Sequence, residues 1–263
     1  EREREVKDTM ETVKAEMKKV YCDTLLELAK TDDRIVIINS DSRNITGTAP
    51  FEAAYPDRSF NVGIAEANMV GVAAGLSVSG KRPFVHAFGP FMTRRVLDQM
   101  TISLAYSGLN AVLVGVSPGI IAEVNGGTHQ GYEDIGVIRP VANSTIVEAF
   151  DPVQLRKMIP ALLDVGGPVY LRYYRGVMPE YYPADYKYQL GKADTLREGQ
   201  DITLISSGLM LETALQAADI LAGKSKPQDM PIQFQKDFTS IINKGHAEKL
   251  GIKIPEELAQ FAK

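Results

Sequence analysis

Ala111-Val112-Leu113-Val114-Gly115-Val116 is an apolar run with no alternation between polar and apolar residues. A strand of this kind is buried on both faces, as in parallel sheets covered by helices. Outward from it the chain alternates between two periods. Arg34 to Asn39 and Arg82 to Phe88 upstream, with Thr145 to Ala149 and Pro168 to Tyr173 downstream, read as further strands. Helical patterns separate them. Met10 to Lys30 carries Val13, Met17, Val20, Leu25 and Leu28 at about 3.6-residue spacing. Glu66 to Val78 is rich in Ala, Met and Val, and Met92 to Tyr106 reads as a further helix. Asp151 to Leu163 has an N-cap in Asp151 and Pro152 in its first turn. This order predicts an α/β fold: a doubly wound parallel sheet with helices on both faces.

Long polar connections interrupt the pattern. Ser40 to Pro56 is rich in Ser, Thr, Asn and Gly, Ser117 to Gly131 is Gly-rich, and Tyr174 to Gln200 mixes Tyr, Pro and Gly without a period. Asp201 to Ser206 then reads as a strand and Met210 to Leu221 as a helix, the opening of a second α/β unit that stops almost at once. From Ala222 the composition turns to Lys, Pro, Gln and Asp, and the tail ends in two short helical patterns. The expected organisation is one α/β domain over residues 1–175, a linker over 176–200, a truncated second unit over 201–222 and an atypical tail over 223–263.

Composition narrows the function classes. The chain has 263 residues, 44% hydrophobic and 24% charged, which is ordinary for a globular protein and excludes fibre or disorder for most of it. Its purely apolar runs, such as Ile35-Val36-Ile37-Ile38, are too short to span a bilayer, so no membrane partner is expected. The first residues, Glu1 to Glu5, carry no apolar h-region, which argues against a secretory signal and for the cytoplasm. The absence of an initiator Met points to processing or a fragment. A single Cys, Cys22, cannot form an intrachain disulfide or a Cys-based zinc site. Net charge is −4 with no basic patch, which argues against nucleic acid and leaves small phosphorylated substrates open.

Two motifs are misleading. Gly75-x-x-x-x-Gly80-Lys81 approaches a phosphate-binding loop. Arg82 follows where Ser or Thr is needed, and the order is helix then strand, the reverse of the required context. His86, His129 and His246 lie far apart and outside any metal-ligand spacing.

Four segments carry chemistry. Asn61-Val-Gly-Ile-Ala-Glu66-Ala-Asn-Met-Val-Gly puts one carboxylate at a small, apolar helix start, where it needs a partner or the positive helix end. Phe84-Val-His86-Ala-Phe88-Gly-Pro-Phe91-Met-Thr-Arg94-Arg95 reads alone as core aromatics and a strand exit. Asn125-Gly126-Gly127-Thr128-His129-Gln130-Gly131 presents a histidine on a flexible loop, able to meet a ligand or simply to turn. Tyr170-Leu-Arg172-Tyr-Tyr-Arg175-Gly176 ends a strand with two arginines. That end of a parallel sheet faces the ligand crevice, and two arginines there suit an anion by bidentate hydrogen bonds, or else a surface ion pair.

Taken together, Val62-Gly-Ile-Ala-Glu66-Ala-Asn, Phe88-x-x-Phe91 before Arg95-x-x-Asp98-Gln99, Gly127-Thr-His129-Gln130 and Leu171-Arg172-Tyr-Tyr-Arg175-Gly176 resemble the pyrimidine-binding domain of transketolase and of its relative 1-deoxyxylulose-5-phosphate synthase. The resemblance covers roughly residues 10–221. It implies thiamine diphosphate as cofactor, with Glu66 on N1′ of the aminopyrimidine so that the cofactor acts as its own base. Phe91 and Phe88 would pack on the pyrimidine, Ile64 beside it and Arg95 at its rim. Asp41 would lie near the cofactor and the subunit interface. His129 would contact the ketose, and Arg172 or Arg175 would hold the sugar phosphate.

Departures from the family matter as much. No Gly-Asp-Gly occurs in the chain, the motif through which the family holds diphosphate and Mg²⁺. The resemblance therefore implies half of a split enzyme: a C-terminal subunit whose N-terminal partner carries the diphosphate-binding domain and Mg²⁺, assembled as α2β2. The expected activity is transfer of a two-carbon ketol unit between sugar phosphates. The alternatives are a synthase condensing pyruvate with glyceraldehyde 3-phosphate, or a non-catalytic remnant that only binds the partner. The stretch Ile241 to Leu258 looks instead like the C-terminal end of ABC-transporter substrate-binding proteins, which implies a seam near Ala222 to Pro227.

Overall fold

The computed structural model describes residues 13–122 and 125–226, with positions 228, 249, 251, 253, 256 and 259 beyond them. In chain order these form β1 (Lys14–Glu16), α1 (Met17–Ala29), β2 (Ile35–Asn39), α2 (Arg43–Thr46), α3 (Ala49–Ala54), β3 (Ser59–Asn61), α4 (Glu66–Val78) and β4 (Arg82–Phe88). A short α5 (Leu97–Gln99) runs into a π-helical segment, Met100–Tyr106. Then come β5 (Ala111–Val116), α6 (Asp134–Ile138), β6 (Thr145–Ala149), α7 (Pro152–Leu162), β7 (Pro168–Tyr173), β8 (Val177–Pro179) and α8 (Met210–Leu221). The chain divides into two compact units, Glu1–Gln216 and Ala217–Lys263.

Six strands make one parallel sheet in the order β3-β2-β4-β5-β7-β6. Every side chain of β5 is buried, as its unbroken apolar run requires. The period of two sorts that strand between two cores. Val112, Val114 and Val116 join the layer under α1, α3 and α7, whereas Ala111 and Leu113 join the layer under α4 and the π-helical segment. The helices thus cover both faces, as the sequence order predicts. At about 1.5–3 kcal/mol for each fully buried aliphatic side chain, this double layer dominates the stability.

Several local expectations are corrected. The first helix starts at Met17. Lys14–Glu16 instead pairs antiparallel with Val177–Pro179, and the Met17 and Lys18 N–H groups donate to the Gly176 and Arg175 carbonyls at 2.9 and 3.3 Å. A partner this distant in sequence leaves no trace in local periodicity. Residues 10–12 of the expected helix lie outside the described residues. Ser40 to Pro56 contains α2 and α3, too short for a periodic signal. The helix expected from Met92 begins only at Leu97, after turns through 90–96. The strand expected at Asp201 to Ser206 does not form. Its Ile202, Leu204 and Ile205 are exposed, and no strand among the described residues lies beside it to supply hydrogen bonds. The helical patterns of the tail lie almost wholly outside the described residues. No helix among the described residues is long and apolar enough to cross a membrane.

Candidate active site

All the sequence-marked segments converge on one edge of the sheet, because parallel strands bring their carboxyl ends together. The register aligns Asn39 with His86, Phe88 with Val116, and Val116 with Tyr173. Glu66 opens α4 just beyond β3, and its side chain is 3% exposed. Its Oε2 accepts from Arg95 Nη1 at 2.8 Å. The Arg95 guanidinium carbon lies 4.1 Å from the centroid of Phe91. Phe91 meets the His129 ring edge-on at 5.0 Å, and His129 meets Phe88 edge-on at 4.9 Å. Arg175 lies 5.5 Å over the Phe88 ring. Six sequence-marked residues from four separate segments thus form one unbroken string: Glu66, Arg95, Phe91, His129, Phe88, Arg175.

Asp41 and Ile64 flank this string without joining it. Asp41 adopts φ 60°, strained backbone for a residue with a Cβ. Asn61 holds it there, accepting from the Asp41 N–H at 2.9 Å and from the Gly63 N–H at 3.1 Å. The bracket joins the end of β2 to the turn that delivers Glu66, with Ile64 on that turn and 77% exposed.

The two arginines have different fates. Arg172, 12% exposed, has Nε 3.0 Å from Asp134 Oδ2 and Nη1 3.3 Å from Glu148 Oε1. Among the described residues no carboxylate pairs with Arg175. Arg175 lines a cavity of about 360 Å³ together with Lys18, Glu16, Ser117, Ile121 and Tyr174. Arg172 is not among the residues that line this cavity.

Sequence reasoning missed Lys18, whose position by the cavity depends on the β1–β8 pairing, and Ser117, buried at φ 53° where β5 ends. It also missed Asp134 and Glu148. Their one trace was an arginine inside an otherwise apolar strand, at Tyr170-Leu-Arg172. Both ring nitrogens of His86 have protein partners. Its Nδ1 donates to the Ile38 carbonyl at 3.1 Å, so Nε2 accepts from the Tyr21 hydroxyl at 2.7 Å, and burial lowers its pKa to about 4. Among the described residues no group of three or more His, Cys, Asp or Glu could hold a metal ion.

The pattern of the transketolase pyrimidine-binding domain matches residues 13–180. The chain belongs to the transketolase family. The 6-deoxy-6-sulfo-D-fructose transketolase subunit of Clostridium sp. (strain MSTE9) is 46% identical over 208 residues, 79% of this chain and 65% of that protein. An apulose-4-phosphate transketolase subunit of Phocaeicola vulgatus is 39% identical over 208 residues, 79% of this chain and 67% of that one. A solved split gene transketolase, described as an inactive beta4 tetramer, superposes with a TM-score of 0.72 at 34% identity. That match covers 79% of this chain and 68% of the other. The chain therefore spans about two thirds of the length of these transketolase relatives. The ABC transporter substrate binding protein family matches residues 206–263, after the transketolase domain.

Proposed function

We propose that the chain is the pyrimidine-binding subunit of a split, thiamine-diphosphate-dependent transketolase. The carrying observation is the string from Glu66 to Arg175, which supplies a recessed carboxylate, two aromatic rings, a histidine and an anion-seeking arginine along one sheet edge. These residues fit the aminopyrimidine of the cofactor. A flat heteroaromatic ring needs apolar ring surface, which Phe88 and Phe91 offer, and a carboxylate for its ring nitrogen, which Glu66 offers. Bound there, thiamine diphosphate would supply the nucleophilic carbon for cleaving a ketose carbon–carbon bond. Glu66 would hold a proton at the ring nitrogen, with Arg95 keeping the carboxylate oriented. His129 would donate a hydrogen bond to the ketose. Arg175, with Lys18 lining the same cavity, would hold the anionic end of the sugar. Diphosphate and Mg²⁺ would be held by a partner subunit carrying Gly-Asp-Gly, in an α2β2 assembly.

The test is purification of the chain from its source cells and identification of what accompanies it. A stoichiometric partner containing Gly-Asp-Gly is expected, and the complex with thiamine diphosphate and Mg²⁺ should transfer a two-carbon unit from a ketose phosphate to an aldose phosphate. Glu66→Gln in that complex should lower turnover by roughly 10²-fold or more while leaving the fold intact. Undiminished turnover would remove Glu66 from the site. A complex that assembles without turnover on any ketose would favour a binding remnant.

A further inference from the structure

We propose that Arg172 is a positioning residue: through Asp134 it fixes the exit of the loop that carries His129, so that the imidazole stands between Phe88 and Phe91. The loop leaves β5 at Ser117 and is closed at its base by Gly119 and Gly131, whose N–H groups and carbonyls exchange hydrogen bonds at 3.2 and 2.9 Å. Pro90, from the Phe88–Phe91 segment, sits so close that a Cβ on Gly131 would lie 3.0 Å from its ring. Two acids follow at once. Glu133 Oε1 lies 2.8 Å from Arg94 Nε, which ties the exit to the aromatic segment. Asp134, 1% exposed, ties it to β7.

The Asp134 carboxylate is fully engaged. Oδ1 accepts from the Ile135 N–H at 2.8 Å, and Oδ2 accepts from the Tyr170 hydroxyl at 2.8 Å and faces Arg172 Nε at 3.0 Å. Gly115 makes this reach possible, since a Cβ there would lie 2.5 Å from the Tyr170 hydroxyl. A carboxylate this deep needs a cation, and Arg172 is the one beside it. Arg172 is held in turn by Glu148, so its guanidinium is committed to two carboxylates and is not offered to a substrate anion. The string of rings depends on both anchors: Phe88 and Phe91 follow β4, whereas His129 follows the loop exit fixed by Arg172.

The experiment uses the full chain labelled with ¹³C-histidine. Only three histidines are present, and His129→Gln identifies the His129 signal. Edge contacts with Phe88 and Phe91 should displace its ring protons from free-histidine positions. Asp134→Asn should move them at least halfway back. Glu148→Gln, which removes the other carboxylate from the same guanidinium, should leave them in place. A role in stability alone predicts that the two variants act alike, and that result would overturn the proposal, as would an unmoved His129 signal in Asp134→Asn. Arg172→Lys keeps the charge but cannot span both carboxylates, so it should move the His129 signal as Asp134→Asn does; an unmoved signal would overturn the role of Arg172, and this variant carries the test should Asp134→Asn fail to fold. A kinetic arm rests on the proposed function: in the partner complex, Asp134→Asn should lower kcat roughly tenfold or more. Displaced His129 signals with wild-type turnover would overturn the role of His129 in that function and uphold its positioning by Asp134.

Discussion

At the scale of single residues, what a charged side chain does is decided by its neighbours. Arg172 and Arg175 are three positions apart at the end of one strand, and the sequence offers no ground for choosing between them as a phosphate ligand. The structure gives one of them two acidic partners and leaves the other facing a cavity. Their alanine variants should therefore fail differently. Arg172→Ala strands two carboxylates in the interior and should cost about 3–5 kcal/mol of stability, read as a lowered Tm. Arg175→Ala should leave Tm within a few degrees and raise KM for phosphorylated ketoses more than for unphosphorylated ones. Equal KM effects on both substrate types would remove Arg175 from anion binding. Glu66, Phe88, Phe91, Arg95 and His129 were marked in the sequence by the resemblance of their segments, taken together, to transketolase, since Phe88 and Phe91 alone read as core aromatics. Asp134 and Lys18 were not, since each is defined by a contact made across the fold.

Among elements, legibility followed burial. β2, β4, β5, β6 and β7 stand where the sequence put them, and α4 runs from Glu66 to Val78 as expected, because each buries an apolar face that leaves a pattern. β1 and β8 were missed because three-residue strands have no pattern, and the strand expected at 201–206 failed because β propensity without a neighbouring strand forms no ladder. α7 shows a cap doing two jobs. Asp151 Oδ1 accepts from the Gln154 N–H at 2.7 Å, as its N-cap reading required. Its Oδ2 accepts from the Tyr181 and Tyr182 N–H groups at 2.7 and 2.8 Å, so the same carboxylate pins the segment expected to be a linker. Asp151→Ala leaves three donors without their acceptor and should cost about 2–4 kcal/mol in denaturant unfolding, with Asp151→Asn recovering part of it. A loss below about 1 kcal/mol would mean that Asp151 does not hold the segment.

Across the whole molecule, stability should carry a signature of its buried imidazole. His86 is neutral between α1 and the sheet, with its pKa pushed down to about 4 by burial, against roughly 6.5 in the unfolded chain. Below pH 6.5 the unfolded chain takes up a proton that the folded chain refuses, so the stability present above that pH is lost as pH falls toward 4. The loss is about 3 kcal/mol at roughly 1.36 kcal/mol per unit. Tm measured from about pH 7 to 4 should fall more steeply for the wild type than for His86→Gln, and equal slopes would deny His86 this role. Lys14 and Pro179 face each other across the β1–β8 pair, so the transketolase domain at residues 13–180 begins and ends at the same place. A block whose two ends meet can be cut from a longer gene, or joined to foreign coding sequence, with little disturbance of its interior. In this chain the transketolase match ends at residue 180, one position past that pair, and the match to the ABC transporter substrate binding protein family begins at 206.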